Sequence, residues 1–210
     1  MPRATSKPAA SSRRARRRDG RRIGILRAAG RIFRERGFAE SGMRDIAEAA
    51  DLSPANLYHY FSGKDEILYF CQDRSLDLML DALRRSRTGG NGFAGRLQHV
   101  LKAHAHAVLD EVEGGAAHLA VDALPDPLRR KIVDKRDRYE RGLRRLVTDG
   151  IARGEFTPCD AAVTTRAMLG AVNWSATWFR PGGEQPADVV AEMIASYLVR
   201  GLMARPESRR

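Results

Sequence analysis

The sequence predicts an all-α protein of about nine helices in two parts, a small N-terminal three-helix unit and a larger helical domain. Three observations predict it. Apolar residues recur at spacings of three and four along most of the chain, and no stretch alternates with the period of two that a half-buried strand needs. Breakers cluster between the periodic stretches, at Thr88-Gly-Gly-Asn-Gly92, Gly114-Gly115, Pro125 with Pro127, and Arg180-Pro-Gly-Gly183. Ser53-Pro54 is a helix start, with a side-chain oxygen to cap the first turn and a proline whose missing N–H costs nothing there. A length of 210 residues allows ample core, and no internal repeat is evident.

Residues 1–20 are rich in Arg, Ser, Ala and Pro and are expected to be a disordered basic arm. The net charge is +11, and residues 1–22 hold nine basic groups against Asp19 alone. Such an arm suits phosphate or minor-groove contacts and salt-dependent binding, the alternative being a solubilising tail. The first helix runs from about residue 21 to 36 with Leu26, Ala29, Ile32 and Phe33 inward and Arg27, Arg31, Arg34 and Glu35 outward. Gly37 follows it as a C′ residue, and Phe38 folds back on its last turn.

Residues 43–64 read as two short helices joined by a tight turn at Asp51-Leu52. Ile46, Ala47 and Ala50 make one small apolar face, and Leu57 and Phe61, four apart, make the other. That is a helix-turn-helix, whose second helix can lie in the major groove of DNA. Its outward residues suit this task. Asn56 can read a base edge, while Tyr58, His59, Tyr60 and, at the start of the next helix, Lys64 can meet phosphate oxygens. Arg44, Ser53, Pro54 and Ala55 complete the expected DNA-facing set. Ser62 is a second N-cap candidate, paired with Asp65 as in a capping box.

Asp45-Ile-Ala-Glu-Ala-Ala50, Leu52-Ser53, Leu57-Tyr-His-Tyr-Phe61 and Lys64-Asp-Glu-Ile-Leu68, with Ala28-Ala-Gly-Arg-Ile-Phe33 and Gly37-Phe38 upstream, resemble the DNA-binding domain of TetR-type transcriptional repressors. Asp51 stands where that family usually has Gly, at a turn position that tends to need positive φ, which Asp tolerates. The resemblance implies a helix-turn-helix domain over residues 21–68, a helical effector-binding and dimerisation domain over 69–204, and a short tail at 205–210. It also implies that the fourth helix carries the mechanical signal between effector and DNA.

That fourth helix runs from about 64 to 85, with Ile67, Leu68, Cys71, Leu78, Ala82 and Leu83 supplying apolar contacts. The fifth, 93–113, places Phe93, Leu97, Leu101, His104, Val108 and Val112 on one stripe. A short helix at 116–124 is stopped by Pro125, and the next, 126–153, turns Leu128, Ile132, Tyr139, Leu143, Leu146 and Ile151 inward. Residues 160–179 are apolar on nearly every side, the pattern of a helix buried all round. The last helix, 186–204, carries Val190, Met193, Ile194, Tyr197, Leu198, Gly201 and Leu202 on a broad stripe, opposite Asp188, Glu192 and Arg200.

A single helix-turn-helix has little contact area, and a two-fold pair reads two half-sites. Gly170, Ala171 and Gly201 permit close approach and Trp174, Tyr197, Leu198 and Leu202 supply area. The expected partner is therefore a second copy, joined through a four-helix interface that the resemblance implies, on a palindromic double-stranded DNA operator. The alternative is that the stripe packs wholly within one chain. Asn173-Trp-Ser-Ala-Thr-Trp-Phe-Arg-Pro-Gly-Gly183 resembles a stretch of TetR-type regulators of fatty-acid and steroid catabolism, many of which sense acyl-coenzyme A thioesters. This points to a small apolar or acyl-type effector, met by His104, Tyr139, Asn173, Trp174, Trp178 and Arg180. The competing reading makes both tryptophans core or interface and Arg180 a cap on a helix C-terminus.

Enzyme and metal chemistry find no support. His104 and His106 face different ways on one helix, and His99 and His106 lack a carboxylate or cysteine at ligand spacing. His118 adds no such set, and no phosphate-cradling loop or nucleophile elbow is present. Cys71 and Cys159 form no metal-ligand spacing. No resident cofactor is expected. No run approaches the ~18 apolar residues of a bilayer span, and the basic N-terminus lacks the apolar segment behind it that a secretory signal needs, so the expected location is the cytoplasm, without membrane attachment. An architectural protein that binds nucleic acid through its basic arm without sequence preference is the rival in a different class.

Overall fold

The computed structural model describes residues 9–88, 92–109 and 120–204, with side chains from residue 16 onward. Eight α-helices are present among them: α1 (Ala9–Arg36), α2 (Met43–Ala49), α3 (Pro54–Tyr58), α4 (Lys64–Arg85), α5 (Phe93–Leu109), α6 (Asp126–Ala152), α7 (Ala161–Trp178) and α8 (Ala187–Leu202). A 3-10 turn at Val121–Ala123 stands within the short helix expected at 116–124. Residues 116–119 of that segment, including His118, with Val112, Glu113, the first eight residues and the 205–210 tail, lie outside the described residues. Among the described residues the helices are joined by turns and loops, with an isolated β-bridge between Phe156 and Met203.

α1 begins at Ala9, so the arm is helical from there rather than disordered over residues 1–20. Ala and Arg are among the best helix formers, and extending a formed helix avoids the cost of nucleation. Poverty in large apolar residues prevents core packing, but not propagation of a neighbouring helix. The packed part of α1 buries Ile25, Leu26, Ala29, Ile32 and Phe33, and Gly37 ends it at φ 80°. α4 buries Ile67, Leu68, Cys71, Leu76, Met79, Ala82 and Leu83. Leu78, expected inward, is instead 41% exposed, because Leu76 and Met79 hold the face toward α5 and α6.

α5 is the axis of the larger domain and packs against α4, α6, α7 and α8. Gly142 allows α6 to approach α4, since a Cβ there would overlap the Leu83 side chain. Lys135 of α6 bonds Asp73 at 2.6 Å and Asp77 at 2.7 Å on α4. Burial pulls the Lys135 pKa down, but its bonds and charge interactions with these two carboxylates outweigh that and leave it raised. α8 lies along α5, where Glu192 bonds Lys102 and Gln98 at a partly solvated edge.

α7 is not buried all round. Thr165, Met168, Val172 and Ser175 face the core, while Val163, Trp174 and Trp178 are 63%, 66% and 50% exposed. Among the described residues α5 and α6 are its main supports, and the face that carries these three residues stays open.

Candidate nucleic-acid interface and effector cavity

The helix-turn-helix is assembled by local chemistry. Gly42 N–H donates to Asp45 Oδ2 at 2.8 Å, and Arg36 Nη1 reaches Asp45 Oδ1 at 2.8 Å, fixing the start of α2 against the end of α1. The backbone bond from Gly42, with Arg36 beside it, lowers the Asp45 pKa below its usual value. Asp51 takes the turn at φ 54°. Ser53 Oγ then accepts from Asn56 N–H at 3.2 Å with Pro54 in the first turn, so α3 starts where the sequence placed it. Ala47 and Leu57 are both fully buried where the helices cross.

α3 therefore shows its other face to solvent. Ser53, Pro54, Ala55, Asn56, Tyr58 and His59 are exposed, as is Arg44 on α2, while Tyr60 is half-buried against the core. Lys64 is the exception in the expected set. Its Nζ donates to the carbonyls of Phe38, Ala39 and Ser41 at 3.0, 3.0 and 3.1 Å, and it sits over the Phe38 ring. The ammonium caps the orphan carbonyls after α1, so it is turned away from the phosphate role. The N-cap of α4 is Gly63 rather than Ser62. Glu66, one residue beyond the expected Asp65, accepts from both Ser62 N–H and Ser62 Oγ–H.

Sequence reasoning missed the braces from α1. Arg31 and Arg21 donate to the carbonyls of Ala49 and Asp51 at the end of α2, and Arg22 lies over Phe70 and Phe61 at 4.2 and 5.0 Å from their centroids. Arginine spacing alone does not show which helix end it reaches.

The six expected effector residues divide into two groups. His104, Tyr139 and Asn173 line one cavity of about 220 Å³ with Leu76, Met79, Arg136, Asp137, Glu140 and Leu169, between α4, α5, α6 and α7. His104 Nε2 lies 3.0 Å from Asn173 Oδ1, and its ring meets Tyr139 edge-on at 5.3 Å. Burial pushes the His104 pKa down to about 4 and that of Tyr139 well up, so both are neutral near pH 7. Trp174 and Trp178 are instead on the outer face of α7, because at helical spacing they lie away from Met168 and Val172. Arg180 Nη1 donates to the carbonyls of Thr177 and Phe179, capping α7. These three do not line the cavity. Gln72 and Arg136 are additions, joined at 3.3 Å beside it. They lay hidden because a buried polar residue on a helix carries no periodic signal.

Of the expected dimer residues, Gly170, Ala171, Trp174, Tyr197 and Gly201 are exposed and Leu198 is half-buried. Leu202 is buried at 6% exposure and belongs to the core of its own chain. Met193, 61% exposed, joins the outer stripe beside Tyr197, which is 74% exposed.

Residues 25–69 match the family described as bacterial regulatory proteins, tetR family, and residues 91–202 match the tetracyclin repressor-like C-terminal domain. The chain belongs to the TetR family of transcriptional regulators. The regulator is 26% identical over 194 residues to the transcriptional repressor KstR2 of Rhodococcus jostii, covering 88% of this chain and 92% of that one. The structure of the ketosteroid transcriptional regulator KstR2 of Mycobacterium tuberculosis superposes with a TM-score of 0.78 at 25% identity, covering 88% of this chain and 96% of the other. PfmR of Thermus thermophilus gives 0.73 at 31% identity, over 84% and 97%. AibR, solved with isovaleryl coenzyme A and operator DNA, shares the fold at 0.70 and 24% identity, over 87% and 98%. The family and these relatives are transcriptional regulators and not enzymes. Among the described residues no helix is long and apolar enough to cross a membrane.

Proposed function

We propose that the regulator is a dimeric, cytoplasmic transcriptional repressor that binds a palindromic operator and is released from it by a small apolar or acyl-type effector, an acyl-coenzyme A thioester being favoured. One observation carries the reading: α4 serves both sites. Its start packs Ile67 and Leu68 into the DNA-binding core, and its middle lines the cavity with Leu76 and Met79. A ligand that displaces Met79 or Leu76 acts on the same rigid rod that supports α3. Its effect on DNA equals its differential affinity for the two arrangements.

The exposed α3 face supports groove reading by Asn56 and phosphate contact by Tyr58 and His59, with half-buried Tyr60 at its margin. The nine basic residues among positions 1–22 add backbone attraction. The open stripe of Trp174, Trp178, Met193 and Tyr197 supports pairing of α7 and α8 with their symmetry mates, since an apolar patch of that kind marks an association surface. AibR, which shares the fold, is solved with isovaleryl coenzyme A, and this supports the acyl class.

The test is fluorescence anisotropy with the duplex upstream of its own coding sequence and a scrambled duplex, at moderate salt, with acyl-coenzyme A thioesters added in turn. The reading expects tight binding to the first duplex alone and release by at least one thioester. Equal affinity for both duplexes would leave the arm-driven, sequence-blind reading instead.

A further inference from the structure

Two buried polar atoms of residues that line the cavity have no hydrogen-bond partner among the described residues. His104 Nδ1 and Tyr139 Oη are buried and without a hydrogen-bond partner. Their residues are each 3% exposed, and both line the cavity. A buried polar atom left unpaired costs ~1–3 kcal/mol, so such a pair marks a place where something else bonds.

The hydrogen-bond roles are fixed by the neighbours. His104 Nε2 faces Asn173 Oδ1, an acceptor, so the imidazole proton sits on Nε2 and Nδ1 is left with a lone pair. Tyr139 presents an O–H. The cavity thus offers one acceptor and one donor, both neutral, against an apolar wall of Leu76, Met79 and Leu169.

A ligand carboxylate has no proton for Nδ1 and meets its lone pair. At the rim a single cation, Arg136, stands with two carboxylates, Asp137 and Glu140, and it already donates to Gln72. An isolated carbonyl accepts from Tyr139 but leaves His104 unpaired. An aliphatic group leaves both unpaired. A hydroxyl donates and accepts at one atom and suits the pair. The cavity's 220 Å³ lies below the ~300–1,000 Å³ of pockets that enclose a drug-sized ligand, so it takes a small group or one end of a longer molecule.

We infer that this cavity recognises a hydroxyl-bearing, uncharged aliphatic group, whose O–H donates to His104 Nδ1 while its oxygen accepts from Tyr139. The inference rests on the reading of the cavity as the effector site and names the chemistry that it selects.

The test is isothermal titration of the full chain with two matched series. One is butyryl-, acetoacetyl- and 3-hydroxybutyryl-coenzyme A; the other is methylcyclohexane, cyclohexanone and cyclohexanol. The hydroxyl member is expected to bind about tenfold or more tighter than its partners, the effect of one well-made buried hydrogen bond. Tyr139→Phe, which keeps the ring and removes the hydroxyl, is expected to collapse that ratio. Equal binding of all three thioesters, with no preference among the cyclohexyl compounds, overturns the hydroxyl inference and leaves the thioester reading standing. A hydroxyl preference in the cyclohexyl series alone sustains the inference and removes the thioester. No binding in either series, with the two atoms bridged only by water, overturns both. A hydroxyl preference that survives Tyr139→Phe also overturns the inference.

Discussion

Lys64→Met separates two roles that the same residue could have near DNA. The wild-type ammonium makes three bonds, at 3.0, 3.0 and 3.1 Å, to carbonyls of the segment between α1 and α2. Hydrogen bonds to a charged group contribute ~1.5–3 kcal/mol each when shielded. Lys64 is only half-buried, so water competes and the methionine stem keeps its contact with Phe38. The total loss is then about 2 kcal/mol rather than the sum of three. For a chain of this size that corresponds to roughly 4–8 °C in Tm, read by differential scanning fluorimetry. A phosphate contact would leave a different mark, a decrease of about 0.9 per protomer in the slope of log K against log salt for operator binding. The structure predicts a lower Tm with an unchanged slope. An unchanged Tm with a slope reduced by that amount would show that the bonds to residues 38, 39 and 41 do not hold the loop.

Asn56→Ala is expected to relax base preference by ~1–3 kcal/mol at one position of each half-site, measured by competition between operator variants, with the salt slope unaltered. Trp174→Arg combined with Tyr197→Arg places charge on the open stripe of α7 and α8 and is expected to give a monomer by sedimentation velocity, with helix content by circular dichroism retained. His104 contributes a pH dependence whose sign is fixed. Its folded pKa of about 4 lies below the ordinary histidine value of 6.5, so the unfolded chain takes up the proton first. This contribution is complete above pH 6.5 and is lost as pH falls toward 4; it amounts to roughly 3 kcal/mol. His104→Gln should flatten that part of a urea-denaturation pH profile, and a profile identical to wild type would refute neutral burial. Gly142→Val sets a side chain against Leu83 where α4 and α6 cross, and is expected to cost ~1–3 kcal/mol by denaturant titration.

The DNA-facing helix was legible because its determinants are local. Ser53, Pro54, Asp51 and the Leu57–Phe61 pair act within a few residues of one another, and each does in the structure what its spacing implies. Lys64 and Ser62 were misread where partners lie across a loop or one residue further on, at Ser41 and Glu66. The cavity was legible only in part. His104, Tyr139 and Asn173 came together, whereas the tryptophans and Arg180, close in sequence to Asn173, turned to the surface. Helical geometry separates residues one and five positions apart onto different faces, so a contiguous motif does not make a contiguous site.

The sequence by itself determined the helical class, the caps and turns of the DNA-binding unit, and the stripes that pack α4, α5 and α6, because periodicity and capping are encoded over one or two turns. Only the tertiary structure decided which polar residues meet. The pairing of His104 with Asn173, of Lys135 with Asp73, and of Arg136 with Gln72 spans 62 or more positions of chain. So does the fate of α7, whose apolar surface is core on one side and open on the other because its neighbours in the chain cover only one side of it.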